Sequence, residues 1–217
     1  MKSKTKRGFS FLLLALVAFG GLGVEALYAY LVEPLLYGCG MQEWTTWQCI
    51  VHWIITCITW ILVARYTMRK AVKEQFDIRV TWEKISWKRW IIVIACMSFV
   101  LAVNWWNWGG VKLIREFRNL GTLKFAFQYL YYATETVMFL MIIIMAQKAL
   151  EIWTGKENIP WGGILCALTW GLAHCGTKSL MVGLGAMAAG FCYGVVYLLL
   201  NRSFKWSYIV LFIMFAL

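Results

Sequence analysis

Charge is the scarcest commodity in this chain. Only 14% of its 217 residues are Asp, Glu, Lys or Arg, against about 25% in ordinary soluble domains. Histidine occurs twice, at His52 and His174. No C-x-x-C spacing joins any of the seven cysteines, which excludes the usual zinc and redox motifs. Internal repeats and low-complexity linkers are absent as well. Together these gaps exclude a soluble globular domain, a disordered chain, a collagen-like chain and a disulfide scaffold. With 62% hydrophobic residues and a mean hydropathy of +0.68, the sequence reads as an all-α polytopic membrane protein.

Apolar runs of about 20 residues are long enough to cross a hydrocarbon core of about 30 Å. Six fit: Phe9–Leu31, Thr45–Tyr66, Trp90–Trp106, Phe125–Ala149, Pro160–Cys175 and Leu180–Leu200. A seventh, Trp206–Leu217, would rise only about 18 Å as a helix and reads as a partial span. The chain forms one integral membrane domain over residues 1–217. Its one substantial soluble segment is a basic loop at 67–89, where Phe76, Ile78, Val80, Trp82, Ile85 and Trp87 alternate with charges and suit a membrane-hugging surface.

The net charge of +11 is odd for so apolar a chain. Of its 21 basic residues, 16 fall before span one, between spans two and three, after span four and after span six. Only Lys112, Arg115, Arg118, Lys124 and Lys178 fall on the other side. The positive-inside rule then places the N-terminus in the cytoplasm. No basic soluble domain exists to hold nucleic acid, so the lipid bilayer is the partner that the charge implies. Tryptophans agree: Trp44, Trp47, Trp105, Trp106 and Trp108 gather at outer ends, and Trp87, Trp90, Trp153, Trp161 and Trp206 at inner ends, where indoles prefer the headgroup level. The first span resembles a signal peptide in its basic start, but its apolar run continues to Tyr37 without an A-x-A site, so it is expected to stay attached. Cys39 and Cys49 are the one exterior pair that a disulfide could join; the other thiols read as small apolar residues.

Ionisable groups inside spans are costly and mark functional sites. Glu25, His52, Glu135 and His174 qualify. Helix rise places Glu135 about 16 Å from the outer face and His52 about 10 Å from it, with Glu25 near the outer interface. His174, about 21 Å from the inner face, can meet Glu135 across antiparallel helices. Gln128, Tyr132, Glu135 and Phe139 follow at helical spacing and form a polar seam. Ala186, Gly190 and Gly194 make a ladder of small residues for close helix packing, which places the sixth span centrally beside the site.

Glu135-Thr136-Val137-Met138-Phe139 and Trp170-Gly171-Leu172-Ala173-His174, on consecutive spans, resemble the CAAX-protease and bacteriocin-processing family of intramembrane proteases. That family carries E-E-x-x-x-R on one helix, F-x-x-x-H on the next and H-x-x-x-N or H-x-x-x-D later. Glu135 falls on the first glutamate, His174 on the histidine and Trp170 on the phenylalanine, across a family-like half at 125–217. Thr136 replaces the second glutamate, Leu140 the arginine, and Ser207–Leu217 holds no histidine, asparagine or aspartate. The resemblance implies an endopeptidase of the bacterial cytoplasmic membrane, with Glu135 activating a water and His174 donating to the oxyanion. Its substrate would be a membrane-embedded or lipidated peptide. Tyr132, Thr136 and Trp170 would support the site, and His52 or Asn104 would fill the missing second donor. No cofactor is expected, since two histidines without a metal-spaced carboxylate or thiolate set cannot build a zinc site. A non-catalytic scaffold, immunity protein or regulator of the same family is an alternative. So is a small transporter with a Glu/His relay, although no inverted repeat supports it.

The charge map makes a topological prediction. In a cysteine-free background, Ser3→Cys should react with a membrane-impermeant maleimide only when the inner face is opened; labelling of intact cells would reverse the assignment.

Overall fold

A computed structural model describes residues 3–78 and 84–217, and every regular element among them is helical. Helix α1 (Lys4–Leu27) passes through a π-helical turn (Tyr28–Val32) into α2 (Glu33–Tyr37). There follow α3 (Thr46–Lys73), α4 (Trp87–Trp108) and α5 (Lys112–Thr154). Next come α6 (Trp161–Cys166), a second π-helical turn (Ala167–Gly171), α7 (Leu172–Thr177), α8 (Leu180–Leu199) and α9 (Phe204–Ala216). Five helical stretches are long and apolar enough to cross a membrane: Lys4–Tyr37, Thr46–Lys73, Trp87–Trp108, Lys112–Thr154 and Leu180–Leu199. The expected span Pro160–Cys175 is instead a helix interrupted by its π turn and stands outside those five. The short C-terminal apolar segment is the 13-residue α9.

Local chemistry sets the ends. Thr45 and Gln48 form a reciprocal capping box at the start of α3. The hydroxyls of Ser3, Ser179 and Ser203 accept from backbone N–H groups in the first turns of α1, α8 and α9. Lys112–Thr154 is one long rod only in outline. Gly121 interrupts it with φ +70° and ψ 170°, a backbone conformation closed to side-chain-bearing residues.

The helix bounds correct the sequence reading twice. Residues 112–120, expected as a connecting loop, are helical, and Lys112 and Glu116 are buried. The basic segment at 67–89 is also less loop than expected, because α3 runs on to Lys73 and α4 begins at Trp87. Between them Ile78 is buried and the Phe76 ring packs edge-on against Phe11 at 5.4 Å. Arg79, Val80 and Trp82 lie outside the described residues. Cys39 and Cys49 are both free thiols, not a disulfide.

The core is centred on α5. From Met138 to Ala146 no residue is more than 1% exposed. A helix apolar on every side must be enclosed on every side, and α1, α3, α6 and α9 surround it. Side-chain donors tie the packing together across helices. Trp60 Nε1 donates to the Gly21 carbonyl at 2.9 Å, Tyr129 to that of Ala216 at 2.9 Å, and Asn104 to that of Met214 at 3.0 Å. At one end Gln147 donates to Glu151 and to the Ile159 carbonyl and accepts from Gly162 N–H, which fixes where α6 starts against α5. Arg202 completes that knot with an ion pair to Glu151 at 2.9 Å.

Helix α8 meets the broken helix backbone to backbone. A Cβ on Gly194 would stand 2.2 Å from Gly163 Cα, and one on Gly171 would stand 2.6 Å from Met187 Cα. The small-residue ladder therefore does what its spacing suggested: it brings α8 against the segment that carries Trp170 and His174. Gly194→Val should cost about 3 kcal/mol or more, because backbone rather than a movable side chain blocks it. Gly20→Ala, with open space around it, should be neutral. Thermal unfolding of the two variants in detergent checks the pair.

Candidate functional site

A cavity of about 820 Å³ opens among α1, α3, α4, α5, α7, α8 and α9. It is the place where the polar residues singled out from the sequence meet. Glu135, Trp170, His174, Tyr132, His52, Asn104 and Glu25 all line it. Thr136 does not: it is fully buried, and its hydroxyl donates to the Tyr132 carbonyl one turn back in its own helix.

Trp170 organises one pole. It sits in the π turn between α6 and α7, and π turns recur at functional sites because they rotate side chains off the regular helical register. Its indole N–H donates to Glu135 Oε1 at 2.9 Å. Its carbonyl accepts from His174 Nδ1 at 2.8 Å. Glu135 and His174 thus share Trp170 instead of bonding to each other. Since a carbonyl only accepts, Nδ1 carries the hydrogen, and the neutral ring presents Nε2 as an acceptor. The sequence-derived role of His174 as a donor is therefore inverted for the neutral ring. Beneath this pole, Phe139 stacks on Tyr193 at 5.0 Å and lies 5.2 Å from the Trp170 ring. Phe139 belongs to the apolar floor, while Gln128, Tyr132 and Glu135 of the same seam reach the cavity.

Lys112 stands in the same cavity. It is 5% exposed, donates to the Phe215 carbonyl at 2.8 Å, and holds its ammonium 4.2 Å from the Tyr132 ring centre and 4.7 Å from that of Phe215. These are cation–π distances. Nearby, Tyr132 and Gln128 both donate to Glu116 Oε1.

The second pole is acidic. His52 Nδ1 lies 2.6 Å from Glu33 Oε2, and His52 Nε2 lies 3.8 Å from Glu25 Oε1. His52, expected as a candidate for the second oxyanion donor, instead faces the carboxyls of its own pole. Asn104 is partly committed too, through Nδ2 to the Met214 carbonyl. Trp44, expected as an interfacial anchor, is buried with its ring 5.3 Å from that of His52.

Sequence reasoning missed Glu33, Lys112, Glu116 and Asn107. Glu33 precedes Pro34 and follows the expected end of span one, so it read as loop. Spacing gave no signal for it, since Glu25 and Glu33 are eight apart; only the extra residue of the π turn makes them effectively seven apart, about two helical turns, on one face. Lys112 and Glu116 were masked by the basic residues around them, which looked like a solvated connection. Among the described residues no cluster of three His, Cys, Asp or Glu side chains suits a metal ion.

No protein-family model, curated protein or solved structure matches this chain. The geometry itself must carry the functional argument.

Trp170→Phe keeps the ring and deletes the donor to a buried carboxyl. It should destabilise the fold by about 1–3 kcal/mol. In the Glu135→Leu background the same change should cost markedly less; a double-mutant cycle of denaturant unfolding measures that difference.

Proposed function

We propose that this chain is an intramembrane hydrolase of the CAAX-protease type, acting on a peptide bond of a membrane-embedded or lipidated peptide. The observation that carries the reading is the pairing of Glu135 and His174, from α5 and α7, on either side of Trp170 at one cavity wall. An acid and a base set within reach of a common enclosed volume are the minimum that water activation requires.

The chemistry follows from the donor and acceptor inventory. Glu135 accepts from the indole through Oε1, which leaves Oε2 to take a proton from water. That water attacks the scissile carbonyl. His174 Nε2 accepts a second hydrogen bond and orients the same water. The oxyanion needs a donor fixed in advance. Lys112 supplies it, since its ammonium keeps two N–H groups beyond the one given to Phe215. The proton held on Glu135 then passes to the leaving amine. Tyr193, Phe215 and Ala189 give the cavity an apolar wall beside these groups.

A second reading has its own support. Thr136 and Leu140, which stand where the family pattern has glutamate and arginine, are fully buried, and neither lines the cavity. A non-catalytic relative would use the cavity to hold a membrane segment without cleaving it.

Purified protein in lipid nanodiscs, offered a farnesylated peptide and a library of apolar peptides, decides between the two. The hydrolase reading expects cleavage that Glu135→Gln reduces by at least about 10³-fold and Lys112→Met by about 10²–10³-fold. Peptide binding without cleavage, unaffected by Glu135→Gln, would establish the scaffold instead.

A further inference from the structure

The acidic pole is unused by the proposed reaction, and its charges do not balance. Glu33 is 1% exposed and Glu25 is half-buried at the cavity wall. In a chain with 21 lysines and arginines, neither carboxyl has one as an ion-pair partner among the described residues: Glu33 faces His52, and Glu25 faces His52 and Tyr131. If both carboxyls are ionised, even a protonated His52 leaves one negative charge over. Glu33 Oε1 makes the deficit concrete. It is fully enclosed and has no hydrogen-bond partner, although Oε2 of the same carboxyl is 2.6 Å from His52. A buried acceptor without a donor is costly, and although Glu33 itself does not line the cavity, Glu25 and His52 do, so a ligand donor would meet this pole there.

The surroundings specify the donor's chemistry. Trp44 packs against His52 and Tyr131 meets Glu25, and Trp53 and Tyr30 line the same cavity. Carboxylates backed by aromatic faces suit an organic cation, which gains from the ring quadrupoles as well as from the charges. A metal ion is the poorer fit, because Glu25, Glu33 and His52 do not form a three-ligand set of coordinating geometry. The remainder of the lining is predominantly apolar, so the cation would arrive on an apolar carrier.

We propose that the Glu25–His52–Glu33 pole is a binding subsite for an ammonium or guanidinium group borne by an apolar ligand. Glu25 forms the exposed half of the clamp. Glu33 lies behind it and holds His52 in place. Binding is the readout, so this proposal and the hydrolase reading fail separately: the one by affinity, the other by turnover.

The test uses the full chain in nanodiscs and two acetylated, amidated pentapeptides, four leucines flanking a central arginine or its neutral isostere citrulline. Calorimetry should give tenfold or tighter binding of the arginine peptide, and Glu25→Gln should remove the difference. Should Glu25→Gln fail to fold, judged by gel filtration and near-ultraviolet circular dichroism, Glu33→Gln takes its place with the same expectation. Competition by octylamine but not octanol would extend the site to free amines; failure of octylamine, with the arginine preference intact, would confine it to peptide side chains. Equal affinity for the two peptides, or a preference that survives the glutamate substitutions, would overturn the proposal. Proton uptake at this pole without arginine preference would overturn it too, and leave a proton as the sole counter-charge.

Discussion

Enclosure of α5 is the constraint on which the other elements depend. A helix with nine successive inaccessible residues, Met138 to Ala146, cannot face lipid or water anywhere along that stretch. In a membrane, apolar burial gives little driving force, because lipid is as apolar as leucine; close packing and interhelical hydrogen bonds must supply it. The structure uses both. Gly163 and Gly194 let the broken helix and α8 touch backbone to backbone. Donors from Trp60, Asn104, Tyr129 and Tyr208 reach carbonyls on α1, α9 and α5. α5 also carries Glu135 into the cavity, so the helix that organises the packing also positions the central carboxyl.

The cavity is a polar exception held in place by that apolar frame. Its two poles are arranged by the same device, a π turn that shifts side-chain register. One π turn places Trp170 between Glu135 and His174. The other aligns Glu33 with Glu25 across His52. Unpartnered buried oxygens remain on both sides: Glu33 Oε1 beside His52, and Glu116 Oε2 and Gln128 Oε1 near Lys112. What separates the poles is charge: two carboxyls flank His52, whereas Lys112, caged by Tyr132 and Phe215, brings positive charge to the other side of the same cavity.

Much of the fold was legible because membranes impose simple rules. Long apolar runs located α4 and α8 to within a few residues but missed the last turns of α3 and the first 13 residues of α5, and the cost of ionisable groups in apolar surroundings singled out Glu25, His52, Glu135 and His174. All four line the cavity. What was not legible traces to particular residues. Gly121 breaks the helical register in a way that periodicity cannot show, so Lys112 and Glu116 looked like loop charges. Span one was expected to end at Leu31, yet the helix continues through a π turn past Glu33 and Pro34 to Tyr37. Thr136 entered only through its place in the family pattern, and its hydroxyl bonds within its own helix.

Composition and spacing by themselves determined that the chain is helical and rich in membrane-length segments, and which few side chains are too costly to be accidental. Those properties are local: they depend on transfer free energies and on 3.6-residue periodicity. Partner choice was decided only by the tertiary structure. Whether His52 faces the site of Glu135 or the carboxyl of Glu33, and whether His174 presents a donor or an acceptor, depends on ångström-scale register between helices. Two π turns and one glycine break set that register. Each depends on packing across the bundle, which no single segment of sequence contains.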